Sequence, residues 1–284
     1  METKGGEEVS KLKRRTQLVV DQKKFMVERK KEDKSNVVVF QISDPHLGLF
    51  LSAQEMRETI IKALENKIDF VFITGDLLAS EIYRGEWEEY VFDLLTFAFE
   101  PLKGQKTFMC LGNHDYEGFE IINKALKQIG VVILQDESIF VELKGKYFQV
   151  VGSNYCFKKS NRKERMEKLM EKAEKDLTSF PRKGDFCFRF LLIHDPNQWK
   201  CISNCQTKSL SFCGHVHGGI VALRGVNFDI SLINLLLGVP DEGFWTKGNN
   251  FAYVHVGHGN HLLPFRVLSP KENSVLLLTL TSSK

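Results

Sequence analysis

Five short apolar segments of this chain are each followed, within three residues, by Asp, Asn or His. This pattern restricts the fold more than any other feature of the sequence. The first segment, 37–42, is a nearly continuous apolar run, as is typical of a strand buried on both faces. Segments 70–73 and 107–111 have the same character, and amphipathic helical patterns separate all three. Strands that alternate with helices predict a parallel sheet covered by helices. In such sheets the functional groups collect at the carboxyl ends of the strands.

The rhythm of the sequence changes after residue 130, where strand patterns follow one another closely. They cover 131–134, 139–143, 147–151, 188–193, 210–213, 251–256 and 275–280, and the second and third are predicted to form a hairpin. The intervening stretch 158–176 is rich in Lys and Glu around a narrow apolar stripe. It predicts an exposed amphipathic helix with ion pairs such as Glu164–Lys168. We therefore expect one α/β domain over residues 37–284.

The strand ends carry side chains of the kinds that bind metal ions and move protons. They are Asp44, His46, Asp76, Asn113, His114, Asp115, His194, His215 and His217. Taken singly, each has an ordinary explanation, because Asp and Asn are common turn formers and helix caps. Five such groups at five strand ends favour a shared site.

The chemistry of these residues is mutually consistent. Asp44 and His46 are two apart in extended chain, so both side chains can project to one side. Carboxylate, imidazole and amide groups suit Mn²⁺, Fe or Zn²⁺, and the absence of Cys argues against a closed structural zinc site. Two divalent ions held by Asp44 and Asp76 would leave a positive local charge, which attracts phosphate anions.

The order D-x-H, G-D, G-N-H-D, H and G-H-x-H resembles the calcineurin-like metallophosphoesterase superfamily. Downstream, segments 256–259, 263–266 and 276–280 resemble the bacterial YkuE/YaeI-type phosphodiesterase branch, so the likeness covers about residues 37–281. The resemblance implies an α/β fold, a sandwich of two mixed β-sheets flanked by helices. It also implies a dinuclear metal site at the carboxyl ends of the strands.

The resemblance assigns a role to each residue of the site. One ion would be held by Asp44, His46, Asp76 and His217, and the other by Asp76, Asn113, His194 and His215. Asp76 would bridge the two ions, with Mn²⁺ the expected metal and Fe or Zn²⁺ the alternatives. His114 would stabilise the transition state or protonate the leaving oxygen, and Asp115 would orient His114 or cap the next helix.

The expected function is metal-dependent hydrolysis of phosphodiester or pyrophosphate bonds by attack of a metal-activated water, on lipid-linked or nucleotide substrates. Stretch 232–240 is rich in leucine. It could form an apolar surface that contacts an acyl chain, although burial in the core is the more common outcome for such a run. His258 and His261 are interpreted as loop histidines that line the pocket, in preference to a third metal site.

Two other functions are compatible with parts of this motif set. Serine/threonine protein phosphatases of this superfamily usually carry R-G-N-H-E in the third motif, and here Leu111 and Asp115 replace the Arg and the Glu. That alternative, like a general phosphomonoesterase, therefore ranks second. A non-catalytic scaffold ranks third, because such members usually lose ligands and every ligand position here is filled.

Charge and cysteine content bear on partners and compartment. Residues 1–36 carry 11 Lys/Arg and 7 Asp/Glu, whereas the net charge of the whole chain is only +3, so the basic excess lies in this segment. No signal specific to nucleic acid is present. We interpret 1–36 as a flexible basic arm, with weak contact to anionic membranes as the second interpretation. No apolar run is long enough for a signal peptide or a membrane span, and the six cysteines show no CxxC spacing. These features predict a cytoplasmic protein with free thiols, and the family resemblance implies that its partner is a phosphoester substrate.

Overall fold

The computed structural model describes residues 10–11, 36–48, 50–79, 82, 88–203, 207–219, 222–224, 229–260 and 271–279. Its strands are β1 (Ser10–Lys11), β2 (Asn36–Ile42), β3 (Phe70–Ile73), β4 (Thr107–Met109), β5 (Val132–Ile133), β6 (Glu137–Leu143), β7 (Lys146–Gly152), β8 (Phe186–Leu192), β9 (Ser209–Cys213), β10 (Ala222–Arg224), β11 (Asp229–Ser231), β12 (Gly243–Lys247), β13 (Asn250–Val254) and β14 (Ser274–Thr279). Its α-helices are α1 (Ala53–Leu64), α2 (Glu88–Phe99), α3 (Phe119–Ile129), α4 (Arg162–Ser179), α5 (Pro196–Lys200) and α6 (Leu232–Leu237).

Two mixed sheets account for all but two of these strands. One has the order β14-β2-β3-β4-β5, with β2 to β5 parallel and β14 antiparallel to β2. The other has the order β1-β12-β13-β9-β8-β7-β6, with a parallel centre from β13 to β7 and antiparallel strands at both sides. Strands β10 and β11 form a separate antiparallel pair. The predicted α/β sandwich of two mixed sheets is confirmed.

The two sheets pack face to face through aromatic side chains. Phe70 and Phe72 of β3 project from the first sheet, and they meet Phe148, Phe190 and Phe212 of the second, with ring centroids 4.8 to 5.8 Å apart across the interface. Successive residues of a strand point to opposite faces, so the residues between these phenylalanines face outward. Both faces of the central strands are therefore buried, which explains their continuous apolar sequences.

Helices cover the outer face of each sheet. Helices α1, α2 and α3 bury the outward residues of the five-stranded sheet, and α4 and α5 bury those of the seven-stranded sheet. The amphipathic helix predicted in 158–176 is confirmed as α4, which buries Met166, Leu169, Met170 and Ala173. Its exposed side carries the predicted pair of Lys168 and Glu164, 2.6 Å apart.

Local signals in the sequence also hold. Helix α1 begins with a capping box, in which the Ser52 hydroxyl accepts from the Glu55 amide and the Glu55 carboxylate accepts from the Ser52 amide. The predicted hairpin joins β6 to β7 through Lys144 and Gly145, both of which have positive φ. That conformation matches the twist of antiparallel strands.

The structure differs from the sequence interpretation at two places. Ser10–Lys11 pairs with Trp245 and Thr246 of β12, so two residues of the basic arm belong to a sheet edge. A two-residue strand has no hydrophobic pattern by which it could be predicted. The remainder of 1–35 lies outside the described residues.

The expectation of core burial for 232–240 is wrong for three of its leucines. Leu235, Leu236 and Leu237 of α6 are 64 to 68 % exposed, whereas Val239 enters the core. A run of apolar residues does not reveal whether a partner layer exists to cover it.

Two further properties concern the described residues only. None of their helices combines the length and the apolar character needed to cross a bilayer. The five described cysteines, at 110, 156, 187, 201 and 213, are free thiols.

Candidate metal centre

Two buried groups of ligand-type side chains lie at the carboxyl ends of the central strands. The first contains Asp44, His46 and His217, and their ligand atoms all lie within 4.8 Å of one another. In it the Nε2 atoms of His46 and His217 are 3.2 Å apart, and His217 Nε2 lies 3.5 Å from an Asp44 carboxylate oxygen. Three donor atoms this close fit the coordination of one small divalent ion.

The second group contains Asp76, His194 and His215, whose ligand atoms also lie within 4.8 Å of one another. His194 Nε2 is 3.2 Å from Asp76 Oδ2 and 3.1 Å from His215 Nδ1. Asp76 Oδ2 is also 3.8 Å from His46 Nε2 of the first group. The Asp76 carboxylate therefore lies between the two groups, as a bridging ligand must.

The backbone around these side chains adopts an uncommon conformation. Asp44, His46, Asp76, His215 and His217 have φ between 44 and 72°. A residue with a Cβ avoids this left-handed region, at a cost of about 1–2 kcal/mol. Such residues concentrate at functional sites, where the surrounding fold holds them in place. Here the left-handed turns direct the side chains of consecutive loops toward one point.

Hydrogen bonds fix the orientation of the ligand side chains. His194 Nδ1 lies 2.5 Å from the carbonyl oxygen of Thr74, which can only accept, so Nδ1 carries the proton. In the neutral form of the ring, which a metal ligand requires, the lone pair of His194 is then on Nε2, the atom that faces Asp76. Asp44 accepts from the Ser43 hydroxyl and from the amide of His215, at 3.0 Å for the latter. Secondary contacts of this kind orient metal ligands in proteins.

The charges within the centre are strongly coupled. Burial acts to raise the pKa of Asp76, but the adjacent His194 outweighs it and holds that pKa well below its usual range. Burial would lower the pKa of His194, but the Asp76 and Asp44 carboxylates raise it to about 10. Burial and the positive charge of His194 lower the pKa of His215 to about 4, whereas burial and the nearby Asp76 raise that of Asp44 to about 6. Protons and divalent cations therefore compete for the same buried donors.

Asn113 and His114 follow strand β4 beside these groups. The Asn113 side-chain oxygen is buried and has no hydrogen-bond partner among the described residues. A buried amide oxygen of this kind is suited to accept a cation. The amide of His114 donates to Asp76 Oδ1 over 2.9 Å, and its ring centroid lies 5.4 Å from that of His46. The preceding Gly112 allows this approach, since a Cβ there would be 2.1 Å from Asp76 Oδ1.

Asp115 is fully buried behind the ligands. Its carboxylate accepts from the amides of Asp76, Leu77 and Gly112 at 2.8 to 2.9 Å, so it ties two ligand loops together. Burial and the charge of Asp76 raise its pKa to about 6 in spite of these bonds. The alternative role as helix cap is wrong, because α3 begins after Gly118. The catalytic role expected for Asp115 stays a prediction.

The loop after β13 reaches the centre from a distant part of the chain. His258 is buried, and its amide and ring contact the backbone of Ser43. Among the described residues it belongs to neither ligand group, and His261 lies outside them. This contact places the loop beside the first ligand loop, and the interpretation of His258 as a histidine that lines the substrate pocket stays a prediction.

Comparison with known proteins agrees with this geometry. The family model described as calcineurin-like phosphoesterase matches residues 37–219. An uncharacterized metallophosphoesterase of Helicobacter pylori strain J99 is 26% identical over 246 residues, which cover 84% of this chain and 59% of the relative. The uncharacterized metallophosphoesterase YkuE of Bacillus subtilis is 26% identical over 250 residues, covering 86% of this chain and 79% of YkuE. The chain thus spans less than two thirds of the Helicobacter relative.

A solved structure shows the same fold. The NAD nucleotidase NadN of Haemophilus influenzae superposes with a TM-score of 0.51 at 12% identity, over 79% of this chain and 46% of that protein. The family match covers all five ligand motifs and the strands that precede them, and the two buried Asp/His groups lie where those motifs predict. The chain belongs to the calcineurin-like phosphoesterase family.

Proposed function

We propose that this protein is a metal-dependent phosphoesterase that hydrolyses phosphodiester or pyrophosphate bonds. The observation that carries the proposal is the pair of buried Asp/His groups joined by Asp76. Asp44, His46, Asp76 and His217 would hold one ion, and Asp76, Asn113, His194 and His215 the other, with Mn²⁺ expected. Two such ions, when bound, lower the pKa of water and neutralise phosphoryl oxygens.

The residues of the chain then position the substrate and move protons. Attack forms a bond between a water oxygen and phosphorus and breaks the bond from phosphorus to the leaving oxygen. His114, whose ring lies 5.4 Å from that of His46, would give that oxygen a proton. Asp115 keeps the loops of Asp76 and Gly112 at the correct separation.

Two features bear on the substrate. The exposed leucines of α6 lie on a helix that packs against the turn containing His217, which favours a substrate or surface with apolar character on that side. Lipid-linked esters fit this apolar side, and nucleotide esters are the second substrate type of the proposed phosphoesterase. A serine/threonine protein phosphatase remains second, since no described feature supplies the Arg and Glu typical of that third motif.

The test is hydrolysis of bis-p-nitrophenyl phosphate by the full chain with added Mn²⁺. We expect activity in the wild type and its loss in Asp76→Ala and His114→Ala. The control is Asp93→Ala, which removes an exposed aspartate of α2 and should leave activity unchanged. Fully metal-loaded protein that cleaves no phosphoester would overturn the proposal, and higher activity on phosphopeptides than on diesters would favour the protein phosphatase.

A further inference from the structure

The loop that follows β7 lies beside the second ligand group, although its sequence contains no metal-ligand motif. It places the ring of Tyr155 5.6 Å from the ring of His215 and 5.9 Å from that of His194. Tyr155 is half-buried and therefore forms part of the wall next to these two histidines. The carboxyl end of β7 thus contributes to the same site as the strands that carry the ligands.

Phe157 extends this wall to the surface. Its ring lies 4.9 Å from Tyr155 and 5.4 Å from Tyr116, yet the residue is 63 % exposed. The loop is held firmly, because the Tyr116 hydroxyl accepts from the amide of Tyr155 and donates to Asn154. A continuous aromatic strip therefore runs from the His194–His215 pair to solvent.

Arg162, at the start of α4, lies next to this strip. Its guanidinium is 2.7 Å from the Asp195 carboxylate, and its charge acts to lower the pKa of the Tyr155 hydroxyl, which burial raises. Its Nε is buried and has no hydrogen-bond partner among the described residues, in a side chain that is only 12% exposed. A buried donor left in this state is costly, and a ligand oxygen is a natural acceptor for it.

We propose that Tyr155, Phe157 and Arg162 form a subsite for a planar ring linked to the scissile phosphate, such as the nucleoside part of a nucleotide ester. Phe157 would stack on the ring, and Arg162 would bind an oxygen of the phosphate or sugar. The exposed Lys158 and Lys159 beside Phe157 suit an anionic ligand with a π-face better than an alkyl chain, which needs an enclosed apolar wall. This inference rests on the proposed phosphoesterase function.

The kinetic test uses three substrates with one leaving group: thymidine 5′-(p-nitrophenyl phosphate), methyl p-nitrophenyl phosphate and decyl p-nitrophenyl phosphate. In the Mn²⁺-loaded full chain, Phe157→Ala should raise KM for the thymidine ester about 5- to 150-fold, as expected for the loss of one base-stacking contact. It should leave KM for the methyl ester within about twofold and kcat unchanged, because stacking is the same in ground and transition states. Phe157→Trp should keep the wild-type preference.

The matched control is Phe97→Ala, which removes an exposed phenylalanine of α2. It should change neither KM nor kcat for the thymidine and methyl esters. Equal losses on the thymidine and methyl esters would overturn the subsite, since they would assign Phe157 a general structural role. A wild-type preference for the decyl ester as large as that for the thymidine ester would overturn it too, and would identify an alkyl site instead.

A binding measurement separates this inference from the function on which it rests. Calorimetric titration of the Mn²⁺-loaded protein should show tighter binding of thymidine 5′-phosphate than of ribose 5-phosphate, and Phe157→Ala should remove the difference. Binding of this kind in a protein that hydrolyses nothing would overturn the proposed function and leave the subsite intact. Hydrolysis without any preference for the thymidine group would overturn the subsite and leave the proposed phosphoesterase function intact.

Discussion

The backbone amide of Gly259 donates a hydrogen bond to the carbonyl oxygen of Asp44 over 3.0 Å. One residue earlier, the amide of His258 donates to Ser43 over 2.9 Å, so the loop after β13 supports the first ligand loop by two consecutive bonds. The loops approach so closely that a Cβ on residue 259 would lie 1.9 Å from the carbonyl oxygen of Pro45. The position of Asp44 thus depends on a residue more than 200 positions away.

Gly259→Ala should therefore disturb the first ligand group. The new methyl group cannot fit against the backbone of Pro45, so the loop that carries Asp44 and His46 must shift. We expect the purified variant to lose about one metal ion per chain and to be at least about tenfold less active, since misplacement by about 1 Å is costly to catalysis. Metal analysis of the purified protein is the measurement.

The control for this substitution is Gly184→Ala, where the added methyl group meets no atom within 4 Å. It should bind metal and hydrolyse substrate like the wild type. Normal metal content in Gly259→Ala would show that the contact between the two loops does not position Asp44.

Asp115→Asn tests whether this buried carboxylate positions the ligands or takes part in the reaction. The amide keeps the shape of the side chain. Its NH₂ group, however, would face backbone N–H groups from which the carboxylate now accepts hydrogen bonds, and two donors cannot pair. We expect the variant to lose about 1–3 kcal/mol of unfolding free energy, the typical cost of an unsatisfied buried donor, and to bind metal more weakly. Urea unfolding of the metal-loaded protein measures the first effect.

Asp93→Asn, on the exposed side of α2, is the matched control and should unfold like the wild type. The result that would contradict the positioning role is an Asp115→Asn protein with unchanged stability and metal content but a reduced kcat. That result would support the catalytic role that the family resemblance assigns to Asp115.

Much of this arrangement was predictable from the sequence because strand ends have strong local signals. The continuous apolar run of 37–42 and the Asp and His after it predicted both β2 and its ligands, and the two buried groups bring these residues together. Within each sheet the parallel strands end at one edge, which groups the ligands after β2 and β3 and those after β8 and β9. That the two sheets bring these ligands to one site was implied by the family resemblance.

Other parts were not predictable, for physical reasons. The left-handed backbone at Asp44 and His217 is imposed by the surrounding fold against the local preference of these residues. The contact of Gly259 with Asp44 joins segments whose proximity only the complete fold determines. The exposure of Leu236 depends on the absence of a covering layer over α6 among the described residues, and composition carries no information on that.

Removal of metal should lower the stability of the wild type. The two groups bring carboxylates and imidazoles together in buried positions, and ions that bind only the folded protein stabilise it by mass action. At about a thousand times the Kd this amounts to about 4 kcal/mol. For a domain of this size we expect a Tm lower by about 8–16 °C after chelation, recovered on addition of Mn²⁺.

Asp76→Asn should lose most of this recovery, because the substitution removes the charge shared by both groups. The exposed variant Asp93→Asn should retain it in full. A wild-type Tm that is indifferent to both chelation and Mn²⁺ would count against a bound metal pair.

The pair formed by Glu174 of α4 and Arg189 of β8 should make folding stability depend on pH. Arg189 is fully buried in the sheet and its Nη1 lies 2.7 Å from the Glu174 carboxylate. Partial burial acts to raise the pKa of Glu174, but the hydrogen bond and charge of Arg189 outweigh it, so the pKa is lowered. Since the pKa rises toward about 4.3 on unfolding, the stabilisation is complete above that value and is lost as the pH falls through the folded-state pKa.

Glu174→Gln should therefore lower the unfolding free energy at pH 7 by about 1–2 kcal/mol, less than for a fully buried pair because Glu174 is 35% exposed. The difference from wild type should shrink as the pH falls from about 5 to about 3, where the wild-type carboxylate takes up its proton. Urea unfolding across this range is the measurement, and Glu164→Gln, which breaks the exposed pair with Lys168 on the same helix, should show no such trend. A difference between Glu174→Gln and wild type that stayed constant with pH would mean that packing around Arg189, and not the carboxylate charge, supplies the stabilisation.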